Sequence, residues 1–148
     1  MSKENFDIRT IHFFRRISIP FARVALFIVF FWFGFLKVIG ESPASPLVQA
    51  LFDRTIHFMS FDTFIILFGL YECVIGILFI IPRLERVVMP LLFLHLITTI
   101  GPLILLSSVT WTSFLIPTLE GQYIIKNVLI VASAIVVAAH VHPLKYRR

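Results

Sequence analysis

Four stretches of this chain, about residues 19–39, 61–81, 86–109 and 122–142, are each apolar over roughly the 20 residues that a helix needs to cross a bilayer. Hydrocarbon offers no partner to a backbone N–H or C=O, so a crossing segment must satisfy its own, as a helix does. The chain therefore reads as an all-α integral membrane four-helix bundle. Composition points the same way: 59% of the 148 residues are apolar and 14% charged, against about 45–50% and about 25% in a soluble domain. Seventeen phenylalanines also exclude a solvated, disordered chain. Four spans and short connections use up residues 1–148, which leaves no room for a second folded domain. The lone cysteine, Cys73, has no thiol to pair with.

The net charge of +5 has to be read by position. Lys3, Arg9, Arg15 and Arg16 precede the first span, the turn at 82–86 carries Arg83 and Arg86, and the tail carries Lys145, Arg147 and Arg148. Segments 41–62 and 107–121 hold one base, Arg54, against Glu41, Asp53, Asp62 and Glu120. Basic loops face the cytoplasm, so the expected topology is N-in and C-in, in a cytoplasmic membrane. The basic excess is thus a signal of orientation in a lipid bilayer, and nucleic acid is not an expected partner. The first apolar run follows a polar stretch without a small-residue cleavage pattern, so no cleavable signal peptide is expected.

Two short interfacial helices are expected besides the spans. Residues 4–17 place Phe6, Thr10, Phe13, Phe14 and Ile17 at helical spacing among arginines, which suits a helix on the inner membrane surface. Residues 45–58 start at Ser45-Pro46 and repeat Leu47, Val48, Leu51, Phe52, Thr55 and Ile56 on one face, as a cap over the outer mouth of the bundle. Ser60 or Asp62 can cap the second span, and Pro82 stops it. Trp111 and Tyr123 fall at the outer boundary and Tyr146 at the inner one.

Polar residues within the spans are the candidates for chemistry. Glu72 lies between Gly69 and Gly76 on one helical face, about 16 Å along its helix and so near the midplane. A bare charge there costs about 2.5–3.5 kcal/mol even on insertion scales. Glu72 is either a neutral structural hydrogen-bonder between helices or a functional acid. Lys37 continues a stripe of Arg23, Phe27, Phe30 and Gly34; it either snorkels to the headgroups or turns inward. Arg23 is expected to snorkel or to meet lipid phosphate. Span four offers Gln122, Lys126, Asn127 and Ser133. If Lys37, Lys126 and Glu72 converge, they form a wet pocket open to the outside, with Gln122 and Asn127 as further ligand-binding groups; salt bridges are the simpler alternative. His95, in span three before a kink at Gly101-Pro102, is either a core histidine or the proton carrier that works near neutral pH. Glu72 and His95 are thus the candidate catalytic pair. The histidines at 12, 57, 95, 140 and 142 form no recognisable metal site, and no HExxH, CxxC, Walker or dinucleotide pattern occurs.

Several runs together resemble the DoxX-like superfamily of small four-span bacterial membrane proteins, and most closely its YkgB-type branch. They are Ala22–Lys37 with its aromatic-x-Gly-x-x-Lys ending, Gly69-Leu-Tyr-Glu72-Cys-Val-Ile-Gly76, Pro82-Arg-Leu-Glu-Arg86, Thr98–Leu103, and Gly121-Gln-Tyr-Ile-Ile-Lys126-Asn127. The likeness spans about residues 20–140 and rests on order and spacing. Asn127 departs from it, since YkgB-type members usually carry an acidic residue after the lysine. The resemblance implies a bacterial inner-membrane bundle associated with oxidative-stress or sulfur-redox proteins, and in some relatives a quinone-linked subunit. Lys37, Glu72 and Lys126 map onto recurrent polar positions. The expected function is the membrane subunit of a redox or stress-defence system, with quinone as possible ligand and a soluble or membrane redox partner. A small-solute or proton transporter and a non-catalytic scaffold docking partners on its basic surface are the rivals.

Overall fold

The computed structural model describes residues 3–140; the last part of the fourth predicted span and the tail with Tyr146 lie outside the described residues. Helix α1 covers Lys3–Val38, α2 Ser45–Thr55, α3 Phe61–Ile80, α4 Glu85–Ile100, α5 Pro102–Leu105, α6 Ser107–Thr110, α7 Leu119–Ile125 and α8 Asn127–Ala139. Strands β1, Trp111–Ser113, and β2, Ile116–Pro117, pair antiparallel between α6 and α7. Four segments are long and apolar enough to span a membrane: Phe6–Val38, Phe61–Ile80, Glu85–Leu105 and Leu119–Ala139. The protein is an all-α, multi-pass membrane bundle of four spans.

The first two predicted elements are one. Residues 4–17 do not form a separate surface helix but continue into the first span as a single 36-residue helix with Pro20 inside it. Proline removes one i→i−4 bond, and the helix runs on across it. Arg23 meets the last carbonyls of α3 through hydrogen bonds to Phe79 O (3.0 Å) and Ile81 O (3.5 Å). The residues before it therefore project about 30 Å past that end of α3. Arg23 also ion-pairs with Glu85, a buried carboxylate in the first turn of α4 that accepts from Arg83 N as well. The expected lipid-phosphate contact of Arg23 is thus replaced by a protein carboxylate and two helix-terminal carbonyls. Arg83 turns the chain there with φ of 73°.

At the other end α1 stops short. Its last turn, Lys37 and Val38, lies against Gly69 of α3, and Gly40, with φ of +80°, follows it, while α3 continues toward its start at Phe61 for about 12 Å. Helix α2 fills the step: Phe52 is buried against Phe61 and Phe64, and Arg54 donates to Leu105 O at 2.5 Å. Ser60 caps α3 by accepting from Thr63 N. The third span ends at Leu105, short of residue 109. Chain 107–117 then forms α6 and the small hairpin, pinned by Trp111 Nε1 donating to Leu103 O. The hydrophobic core of Leu26, Phe30, Ile75, Phe79, Val88, Leu92, Ala134 and Val137 lies between α1, α3, α4 and α8.

Candidate functional site

One helical turn beyond that core, toward the α2 end, three ionisable side chains from three spans meet. Lys37 lies in the last turn of α1, Glu72 in the middle of α3 and His95 in α4, one turn past Leu92. Lys37 Nζ is 2.5 Å from Glu72 Oε2, and His95 Nε2 is 2.8 Å from Glu72 Oε1. The residues are only 5%, 5% and 6% exposed. Both carboxylate oxygens are thereby taken by nitrogen donors, as a charge at this depth demands.

The local sequence explains the meeting. Gly69 and Gly76 bring the α1 backbone against α3, because a methyl at either would fall within 3 Å of α1 atoms. Since α1 ends at the level of Gly69, its final lysine sits at the depth of Glu72 and not at the headgroups. That settles the orientation of Lys37: it is inward, and it also donates to Phe33 O at 3.4 Å. Around the cluster the packing is aromatic. Phe68 stacks on the His95 ring with centroids 5.3 Å apart and planes at 5°, and Phe30 meets it edge-on at 5.2 Å. Lys37 Nζ stands 5.7 Å over the Phe68 ring. Tyr71 holds α4 at the same level by donating to Leu91 O at 2.5 Å.

Of the six residues singled out as candidates, these three come together. Gln122, Lys126 and Asn127 do not join them. Gln122 and Lys126 are exposed, Asn127 is half-buried, and Lys126 Nζ stands 5.0 Å over the Tyr123 ring. The physical reason is the face that α7 and α8 bury: Gly121, Ile124, Ala134 and Val137 point inward, and the polar stripe turns away. The expected wet chamber with two lysines is replaced by a compact Lys–Glu–His cluster whose charged atoms bond one another. The aromatic casing is what the sequence reading missed. Its signal was Phe64, Phe68 and Glu72 at steps of four, which share a helical face.

Chemically, the cluster sets one carboxylate, which accepts, between an ammonium, which donates, and an imidazole, which can do either. Comparisons with protein-family models, with curated proteins and with solved structures find no match.

Proposed function

We propose that this chain is a DoxX-like protein of the bacterial cytoplasmic membrane, with both termini inside, that serves as the membrane subunit of a redox or oxidative-stress defence system. In this reading the Lys37–Glu72–His95 cluster takes up and returns the proton that accompanies electron transfer at a quinone head group. The observation that carries it is Glu72, a mid-span carboxylate engaged by two basic side chains from two other spans. Ionisable groups at such depth are costly and, when retained, usually mark ion or proton pathways. The basic residues at Arg9, Arg15, Arg16, Arg83 and Arg86 support the orientation, and the sequence resemblance supports the redox setting. Lys126 has no part in this version, since it stands away from the cluster.

The test is to isolate the full chain in native lipid discs and extract part of it for isoprenoid quinone, then to follow proton uptake by the quinone still bound to the protein while an electrode supplies its two electrons. Bound quinone in the wild type, with proton uptake lost in Glu72→Gln, is the expected result. A quinone-free preparation, or bound quinone that takes up protons equally well in Glu72→Gln, would overturn the reading.

A second reading, proton or small-solute transport, is favoured by Pro102, which removes the helical donor to Thr98 O inside the third span. Uptake into proteoliposomes that Glu72→Gln abolishes would decide for it.

A further inference from the structure

The start of α1, which projects past the α3–α4 turn, combines two properties that conflict. Asp7, Arg9, His12, Arg15 and Arg16 put five ionisable side chains into ten residues of it. Such a density keeps the segment out of hydrocarbon, where each charge is costly. Yet Phe6, Phe13, Phe14 and Phe21 on the same segment are 63%, 57%, 60% and 72% exposed. At helical spacing these four rings share one side, and an apolar patch of that size in water marks a surface that something covers.

The patch has a repeat. A groove between Phe6, Arg9, Thr10, Phe13 and Phe14 is followed by one between Phe13, Arg16, Ile17, Pro20 and Phe21, with Val24 at its far edge. Each residue of the first groove has its counterpart seven residues on in the second. The pattern is a heptad, with Thr10, Ile17 and Val24 at a, Phe6, Phe13 and Pro20 at d, Asp7, Phe14 and Phe21 at e, and Arg9 and Arg16 at g. Hollows repeating every seven residues are what a second helix fills with its own a and d side chains. The Thr10 hydroxyl donates to Phe6 O at 2.9 Å and so brings no unmet polar group to the seam. Leu26, Phe30 and Lys37, which α1 buries in its own bundle, lie about a third of a turn away around the axis. The seam therefore faces outward.

We propose that its occupant is a second copy of this chain, and that α1 pairs with α1 in a parallel, left-handed coil over residues 6–24. Copies of one chain enter a membrane the same way round, which makes the pair parallel and two-fold symmetric. In such a coil the g residues of one strand flank the e residues of the other. Arg9 and Arg16 then stand beside Phe14 and Phe21 of the second copy, and not against its arginines. Taking roughly 150–250 Å² for a whole phenylalanine, the four rings present about 500 Å² per copy at their exposures. Two copies thus have about 1,000 Å² to cover, the size at which a specific interface begins, before Ile17 and Val24 are added. Fewer than three heptads make a short coil for free solution, but spans held in one bilayer keep their ends at high local concentration. A basic helix lying down on anionic lipid is the rival occupant. It needs a turn at Pro20, and α1 runs through Pro20 unbroken.

The experiment uses the full chain in vesicles of neutral lipid in large excess. Two single variants are oxidised with copper phenanthroline: Phe13→Cys, on the seam, and Arg15→Cys, at position f and facing away. The parent, whose Cys73 is buried, is the blank. Phe13→Cys is expected to give a disulfide-linked dimer, and Arg15→Cys none above the blank. Energy transfer between two pools of the chain, labelled at the C-terminus with different dyes, then measures the pairing. Phe13→Glu, which sets two carboxylates against each other at d, is expected to weaken it at least tenfold. Arg16→Ala should weaken it two- to fivefold and Arg15→Ala leave it unchanged. Should Phe13→Glu also lower the detergent-unfolding midpoint, the contrast between Arg16→Ala and Arg15→Ala decides alone. The proposal is overturned if the parent shows no energy transfer, if the two cysteines cross-link alike, or if pairing ignores both Phe13→Glu and Arg16→Ala. It is overturned in favour of the lipid surface if the chain is single and Phe13→Cys is shielded from a water-soluble thiol reagent only when anionic lipid is added.

Discussion

Gly34 of α1 and Gly69 of α3 each leave the space that the other's backbone occupies. A methyl built on Gly34 would fall 2.5 Å from Gly69 O, and one built on Gly69 would fall 2.6 Å from Gly34 O. Both obstacles are main-chain atoms of long helices, so neither can move aside alone. Small residues that admit such an approach are how spans associate where lipid is as apolar as any side chain. In this protein the contact also sets the level at which Lys37, one turn past Gly34, reaches Glu72, one turn past Gly69.

Alanine at either glycine should therefore act twice. Gly34→Ala and Gly69→Ala are each expected to destabilise the bundle by about 1–3 kcal/mol through overpacking, measured by detergent-driven unfolding. Each should also loosen the Lys37–Glu72 contact. A Gly34→Ala protein as stable as the parent would show that the two backbones are not in fact this close.

The ion pair itself should be non-additive. Lys37→Met leaves Glu72 buried without its ammonium, and Glu72→Gln leaves a buried lysine without its carboxylate. Removing one member of such a pair costs about 3–5 kcal/mol, whereas replacing both can be close to neutral. The double variant should then recover more than about 1 kcal/mol relative to the sum of the singles. Equal and additive losses in the unfolding experiment would mean that the pair is broken in the membrane.

A different role is expected for Arg23 and Glu85. Arg23 fastens the end of α3 and the start of α4 to α1, bonding two carbonyls and one carboxylate. Because this lies at the end of two spans, its loss should free the turn without dissolving the core of Ile75, Phe79 and Val88. We expect Arg23→Ala to raise amide exchange over residues 79–86 by at least tenfold while exchange at Ile75 changes little. Uniform acceleration across α3 would contradict that division.

How far these features were legible in the sequence depends on which face a residue takes. The spans were readable because length and apolarity alone define them. Glu72 was readable as inward because Gly69 and Gly76 share its face. Lys37 was not, since its depth depends on how far α1 slides past α3, and no periodicity within α1 records that offset. The hook between Arg23 and Glu85 was missed for the same reason. For Lys126 the polar stripe through Gln122 looked inward, yet Gly121, Ile124 and Ala134 make a smaller-residue face that packs better. In a membrane a single lysine at the outer third of a helix can remain on the lipid side by snorkelling, so polarity alone does not choose the buried face.

That distinction gives the sharpest contrast between two lysines of similar chemistry. Lys126 is exposed and its recorded contact is with the face of Tyr123, an interaction worth about 0.5–1 kcal/mol at exposed sites. Lys37 is buried and bonded to Glu72. Lys126→Ala should consequently change stability by no more than about 1 kcal/mol and leave the amount of co-isolated quinone as in the parent. Lys37→Ala should cost about 3–5 kcal/mol for the carboxylate it leaves unpaired and reduce that amount sharply. The two variants can be compared side by side by detergent unfolding and by solvent extraction of the same preparations. If Lys126→Ala depleted quinone as much as Lys37→Ala, the buried cluster would have no special claim on the ligand, and the polar face of α7 would become the place to look.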